Sequence, residues 1–140
     1  MVDSLDLEEL SLNDRAIVDS CVKHFHTSKD DTTKINSLNG IIEGMMHQDW
    51  IKYLLFQSTY IENRIKGPFQ NEKLELFYKN ANAGITGNLG FFYEDKGEIN
   101  RALEQYNKCY KLYQELNDKA GIAAVQNNLG SVYVKIGDIK

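Results

Sequence analysis

The sequence predicts an all-α fold of antiparallel helix pairs stacked in series, with about six or seven helices and an incomplete last pair. Three observations carry this reading. The stretch Asn88-Leu89-Gly90-Phe91-Phe92-Tyr93-Glu94-Asp95-Lys96-Gly97-Glu98-Ile99 returns as Asn128-Leu129-Gly130-Ser131-Val132-Tyr133-Val134-Lys135-Ile136-Gly137-Asp138-Ile139, with every match offset by 40. A fixed period of this size marks a repeat array, in which each unit buries its apolar face by stacking on a neighbour. No segment alternates with period two, and a single Pro with eight Tyr fits helices with aromatic packing.

Taken in order, residues 1–10 read as a frayed end or a short helix. Ser11 or Asn13 caps a helix to about residue 26, with Ile17, Cys21, Val22 and Phe25 on one stripe. A polar break at 27–33 follows. Asp31 or Thr32 then caps a second helix bearing Ile35, Leu38, Ile41, Ile42 and Met45. His47-Gln48-Asp49 turns the chain into a third helix over 50–65, with Trp50, Tyr53, Leu54, Phe56 and Tyr60 apolar. Lys66-Gly67-Pro68 ends it, since proline lacks the donor that would continue the ladder. Residues 69–96 are helical again, either as one helix or as two with a break near 79–81. Gly97-Glu98 makes a turn. Ala102, Tyr106, Cys109, Tyr113 and Leu116 mark a helix over 100–116, and Val125, Leu129, Val132, Tyr133 and Ile136 mark a last one over 118–136.

Bulk properties narrow the function. A net charge of −4 and a pI near 5.4 argue against a nucleic-acid partner, because phosphate binding needs concentrated Lys and Arg. The amino terminus is acidic and lacks the apolar core of a signal peptide, and no stretch approaches the ~20 apolar residues of a membrane span. The expected compartment is therefore the cytoplasm, or the periplasm if a longer parent chain carries a signal or anchor. Cys21 and Cys109 show no metal or redox spacing and read as reduced, packed thiols. His24 and His26 are two residues apart on a helix and so point to different sides, and His47 sits in a turn, so no metal site is expected. Glu94, Asp95 and Glu98 read as a solvated rim and turn. With no nucleophile paired to a histidine, the expectation is a non-enzyme with neither catalytic residues nor cofactor.

The unit from residue 83 to about 116 resembles a tetratricopeptide repeat. Leu89-Gly90, Tyr93, Gly97, Ala102 and Tyr106 stand where that family wants Leu-Gly, an aromatic, a Gly turn, a small residue and a second aromatic. The resemblance implies an α-solenoid in which Gly90 and Ala102 face each other at a close helix crossing, with Tyr93 and Tyr106 filling the gaps beside them. The second unit supplies Leu129-Gly130, Tyr133 and Gly137 and stops before its Ala. The organisation implied is an amino-terminal capping region over 1–30, a degenerate helix pair over 31–68, a full unit over 69–117, and the first helix of an interrupted unit over 118–140. The 40-residue spacing resembles a longer-helix subgroup with an Asn-Leu-Gly signature and an acidic-Gly approach, here Asp118-Lys119-Ala120-Gly121. More softly, Asp31-Thr32-Thr33-Lys34-Ile35-Asn36-Ser37-Leu38 ahead of such repeats resembles the sensory region of bacterial signalling proteins, which precedes a histidine kinase or a DNA-binding module.

By position, the resemblance places Gly84, Gly87, Asn88, Phe91, Glu94 and Asp95 from the first unit in a ligand groove. From the second unit it places Ala124, Asn127, Asn128, Ser131, Val134 and Lys135 there. An asparagine amide both donates and accepts, so a row of them suits an extended peptide backbone. The leading contacts are Asn88, Phe91, Asp95, Asn127, Asn128, Ser131 and Lys135, for a protein or peptide ligand. Chaperone-binding members grip a terminal carboxylate with Lys and Asn, but Gly87 and Phe91 stand there instead. The competing expectation is a scaffold that forms a homodimer through the last helix, using Leu129, Val132, Tyr133 and Ile136.

Overall fold

The computed structural model describes residues 10–44 and 50–139, side chains at 138 and 139 excepted. Six α-helices lie among the described residues, with no strand among them. They are α1 (Leu12–Thr27), α2 (Asp31–Gly44), α3 (Trp50–Arg64), α4 (Glu72–Asp95), α5 (Ile99–Glu115) and α6 (Lys119–Ile139). The chain divides into two compact units, residues 1–64 with α1–α3 and residues 65–140 with α4–α6. The expectations for residues 1–9, for Met45 and for the turn at His47–Asp49 lie outside the described residues.

In the first unit, α1 packs on α2 and α2 on α3. Ser11 caps α1 by accepting the Asp14 amide at 3.1 Å. α1 buries Asp14, Val18 and Phe25. Phe25 agrees with the expected stripe, whereas Ile17, Cys21 and Val22 are only half-buried and Val18 takes the place expected for Ile17. The cap of α2 is Asp30, one residue before the expected pair. Its carboxylate accepts the Thr33 amide at 2.8 Å and the Ser28 hydroxyl at 2.9 Å. Those bonds hold the Asp30 carboxyl below its ordinary range. A cap bonds the amide three residues on, and from Asp30 that amide is free of the helical ladder.

Ile35, Leu38 and Ile41 of α2 and Tyr53, Leu54 and Ile61 of α3 are buried apolar residues of this unit. Gln57 is buried among them, and its Nε2 donates to the Ile35 carbonyl at 3.2 Å and to Asn39 Oδ1 at 2.6 Å. Asp31 ties the far end together. It accepts the Tyr60 hydroxyl and the Arg64 Nε–H, the latter at 2.7 Å, while the Arg64 guanidinium lies 3.9 Å over the Tyr60 ring.

The second unit is built on α5, whose neighbours are α4 on one side and α6 on the other. The stretch expected to be helical over 69–96 forms a single helix, α4, over Glu72–Asp95, with no break at 79–81. Asn71 starts it by accepting the Leu74 amide at 2.8 Å. Three side chains of α5 rest on glycines of its neighbours. A Cβ added at Gly90 on α4 would lie 2.6 Å from the Tyr106 ring, and one at Gly121 on α6 would lie 2.4 Å from the Tyr113 ring. Between them, Cys109 Sγ sits 3.3 Å from where a Gly87 Cβ would stand. The residue over Gly90 is thus Tyr106 and not Ala102, as the family pattern had implied. Ala102 is buried on the same core, and its small side chain leaves room for the helices to approach.

The turns after α4 and α5 repeat each other. The Gly97 amide bonds the Glu94 carbonyl and the Glu98 amide bonds that of Tyr93. Twenty residues on, Asn117 bonds Gln114 and Asp118 bonds Tyr113. Both are Schellman ends with a left-handed residue, Gly97 at φ 75° and Asn117 at φ 52°. The residue that closes each turn also opens the next helix. Asp118 caps α6 through its carboxylate on the Gly121 amide at 3.0 Å, whereas Glu98 is too long to do so and pairs with Arg101 at 2.9 Å instead.

Two equivalent glycines differ in surroundings. Gly90 lies under Tyr106, while nothing stands within 4 Å of a Cβ at Gly130. Gly90→Ala should therefore cost roughly 1–3 kcal/mol through overpacking. Gly130→Ala should be neutral or add up to about 1 kcal/mol, because Ala is the better helix former. Urea denaturation of the two variants beside wild type tests both signs.

Candidate protein-interaction face

Steps of four, three and four place Gly84, Asn88, Phe91 and Asp95 on one stripe of α4, and Ala124, Asn128, Ser131 and Lys135 on one stripe of α6. The α6 stripe reaches α4, since Ser131 and Lys135 both bond Glu94. Phe91 is 57% exposed, Asp95 is exposed, and Asn88 is half-buried. Asn127, Asn128, Ser131 and Lys135 are all exposed. Among the described residues, the amides of Asn88, Asn127 and Asn128 have no hydrogen-bonding partner.

Glu94 departs from its sequence reading as solvated rim. Its side chain is only 9% exposed and joins all three helices of the unit. Oε2 accepts the Tyr106 hydroxyl of α5 at 2.8 Å. Oε1 accepts Lys135 Nζ at 2.5 Å and the Ser131 hydroxyl at 3.3 Å, both from α6. Burial pushes the Glu94 carboxyl up, but the Lys135, Tyr106 and Ser131 hydrogen bonds and the Lys135 charge outweigh it, and the net shift is down. Tyr106 moves the other way, its hydroxyl raised by burial and then by the Glu94 carboxylate. Asp95 and Glu98 are exposed as expected. The sequence held one pointer to Glu94, namely that the repeat puts Val134 opposite it, so packing of the unit does not call for an acid there.

Of the residues expected to self-associate, Val132 is fully buried in the α5–α6 core and is removed from any outward patch. Leu129 and Ile136 pack half-buried against the same core. Tyr133 remains 57% exposed, with Val134 beside it at 63%.

Neither cysteine is in a disulfide. Cys109 donates its thiol to the Ala83 carbonyl at 3.3 Å. Burial lifts its pKa to about 11 against an opposing Gly87 backbone hydrogen bond, which keeps it an unreactive thiol at neutral pH. A separate cleft of about 210 Å³ lies at the other end of the α4–α5 pair, lined by Ile65, Lys79, Asn82, Leu112, Glu115 and Leu116. Lys79 there is engaged by Glu75 at 2.6 Å. No helix among the described residues is long and apolar enough to cross a membrane.

Residues 82–140 match the tetratricopeptide repeat family model. The match begins within α4 and takes in α5 and α6, while α1–α3 lie outside it. No curated protein and no solved structure matches the chain significantly. The all-α architecture agrees with a tetratricopeptide-type helical repeat, and such repeats are in general protein-interaction modules.

Glu94→Gln keeps the shape and removes the charge, so it should cost about 1–2 kcal/mol at pH 7. The folded-state carboxyl lies below its ordinary 4.5, so its contribution is fully present above that pH and is lost as pH falls through the folded value. Urea midpoints of wild type and Glu94→Gln should differ at pH 7 and converge as the pH drops below 4.5. A constant gap down to strongly acidic pH would show that the charge is not what stabilises.

Proposed function

We propose that the chain is a non-catalytic binding domain that holds an extended segment of a partner protein along the α4–α6 face. The observation that carries this is the exposed Phe91 ring on α4, together with three asparagine amides on α4 and α6 that have no hydrogen-bonding partner among the described residues. Aromatic anchors dominate interfaces, and amides that serve no internal bond are suited to reading a peptide backbone. The tetratricopeptide match over the same helices supports the class of partner.

A role as the sensory or interaction region of a bacterial signalling protein, ahead of a histidine kinase or transcriptional regulator, rests on the resemblance of residues 31–38 and the 40-residue period. Several residues of that stretch also have structural duties. Ile35 and Leu38 are fully buried, and Asp31 links α2 to α3.

Self-association through α6 is a second reading. Its support is the open space at Gly130 together with exposed Tyr133 and Val134. Light scattering at high concentration separates the two readings, because a strictly monomeric protein excludes the second. If a dimer forms, Tyr133→Lys with Val134→Lys should dissociate it.

For the binding face, Phe91→Ala and the double variant Asn88→Ala, Asn128→Ala should each weaken partner recovery tenfold or more, equivalent to about 1.4 kcal/mol. Their melting temperatures should stay near wild type. Equal recovery by wild type and variants would overturn the site.

A further inference from the structure

We infer that the segment accepted by this face is neutral to basic, presenting a Lys or Arg beside an apolar side chain, and not an acidic or carboxylate-terminated segment. This rests on the binding face proposed above and names the chemistry of its ligand.

The cation available on the two stripes is Lys135, and Glu94 already holds it. The Lys135 ammonium lies 2.5 Å from Glu94 Oε1, and the Ser131 hydroxyl is given to the same oxygen. Tyr106 occupies the other oxygen from beneath, at 2.8 Å. Glu94 therefore fills, from inside the fold, the position that a ligand carboxylate would take on this face. An incoming acid reaches Lys135 only by breaking a charge-assisted pair whose carboxylate is nine-tenths shielded from water.

What is left on the surface has the opposite sign. Asp95 is exposed and has no ion pair among the described residues. The adjacent Lys96 has its ammonium 5.7 Å from the Phe92 ring centroid. One cation against two carboxylates leaves the face net negative. Phe91 stands one helical turn before Asp95, so the two side chains are neighbours on the α4 surface. A Lys or Arg lying across that pair rests its methylene stem or guanidinium plane on the ring and its charge on the carboxylate. The amides of Asn88, Asn127 and Asn128 take the ligand's backbone and add no charge preference.

The test is fluorescence polarisation with peptide pools that share an apolar core and differ only in charge. One pool carries Lys and Arg, one carries Asp and Glu, and each is made with free and with amidated carboxyl termini. The basic pool should bind at least tenfold more tightly than the acidic pool at low salt. That ratio should shrink at 0.5 M salt, where exposed charges are screened. Asp95→Asn should abolish the preference while keeping binding of the neutral core, with an unchanged melting temperature as the folding control. Glu94→Gln should release Lys135 and raise affinity for acidic and free-carboxylate peptides.

Equal affinity for the two pools, a wild-type preference for acidic or carboxylate-terminated peptides, or a basic preference that survives Asp95→Asn would each overturn the inference and leave the binding face standing. Failure of every pool to bind would overturn the face itself, and this inference with it.

Discussion

The second unit depends on bare backbone beneath the rings of α5. Tyr106 lies on Gly90 of α4 and Tyr113 lies on Gly121 of α6, in both cases closer than any side chain would allow. An aromatic side chain buries about 150–250 Å², worth several kcal/mol at roughly 25 cal/mol per Å². That gain requires the ring to reach backbone, so the two glycines set how closely both neighbours approach α5. The distance from α4 to α6, and hence the spacing of the stripes they present, is fixed by how α5 seats between them.

Electrostatics refine this arrangement without creating it. The Glu94 bonds to Tyr106, Ser131 and Lys135 are worth about 1–2 kcal/mol together once solvation is counted, less than the burial of the Tyr106 ring. Their effect is on register. Glu94 accepts from the ring hydroxyl that sits on Gly90 and from two α6 side chains one turn apart, so a slide of α6 along α4 breaks the bonds even where apolar contact is kept. The same bonds cancel the cation of the exposed face. The carboxylate that ties the three helices together thus also sets the charge that the proposed ligand would meet.

The helices were legible because their signals are local. Apolar spacing located all six, and Gly97 and Pro68 marked ends that backbone chemistry requires. The cap of α2 fell on Asp30 because three acceptors in a row, Asp30, Asp31 and Thr32, look alike in sequence, and only the Thr33 amide separates them. What was not legible was tertiary. Whether Gly90 meets Ala102 or Tyr106 depends on a crossing angle that no spacing encodes. The burial of Val132 depends on which side of α6 meets α5. Gln57 gave no sign of its burial, since its bonds reach back 22 and 18 residues.

Comparison of the two copies separates scaffold from site. In the first copy the shared residues pack or turn: Tyr93 and Ile99 lie against the α5–α6 core, Gly90 lies under Tyr106, and Gly97 takes the left-handed position. In the second copy Leu129 packs, while Tyr133 and Gly130 are exposed. Where the copies differ, the surface changes character, with Phe91 against Ser131, Glu94 against Val134 and Asp95 against Lys135. A repeat needs its shared positions to stack and leaves its other positions to be spent on ligands. The asparagines break that division. Asn88 and Asn128 are shared by both copies, yet their amides make no hydrogen bond among the described residues. No internal hydrogen bond accounts for an amide present in both copies. The ligand backbone proposed for the α4–α6 face would use it, because such a backbone offers the same donor and acceptor at each repeat regardless of the side chains it carries.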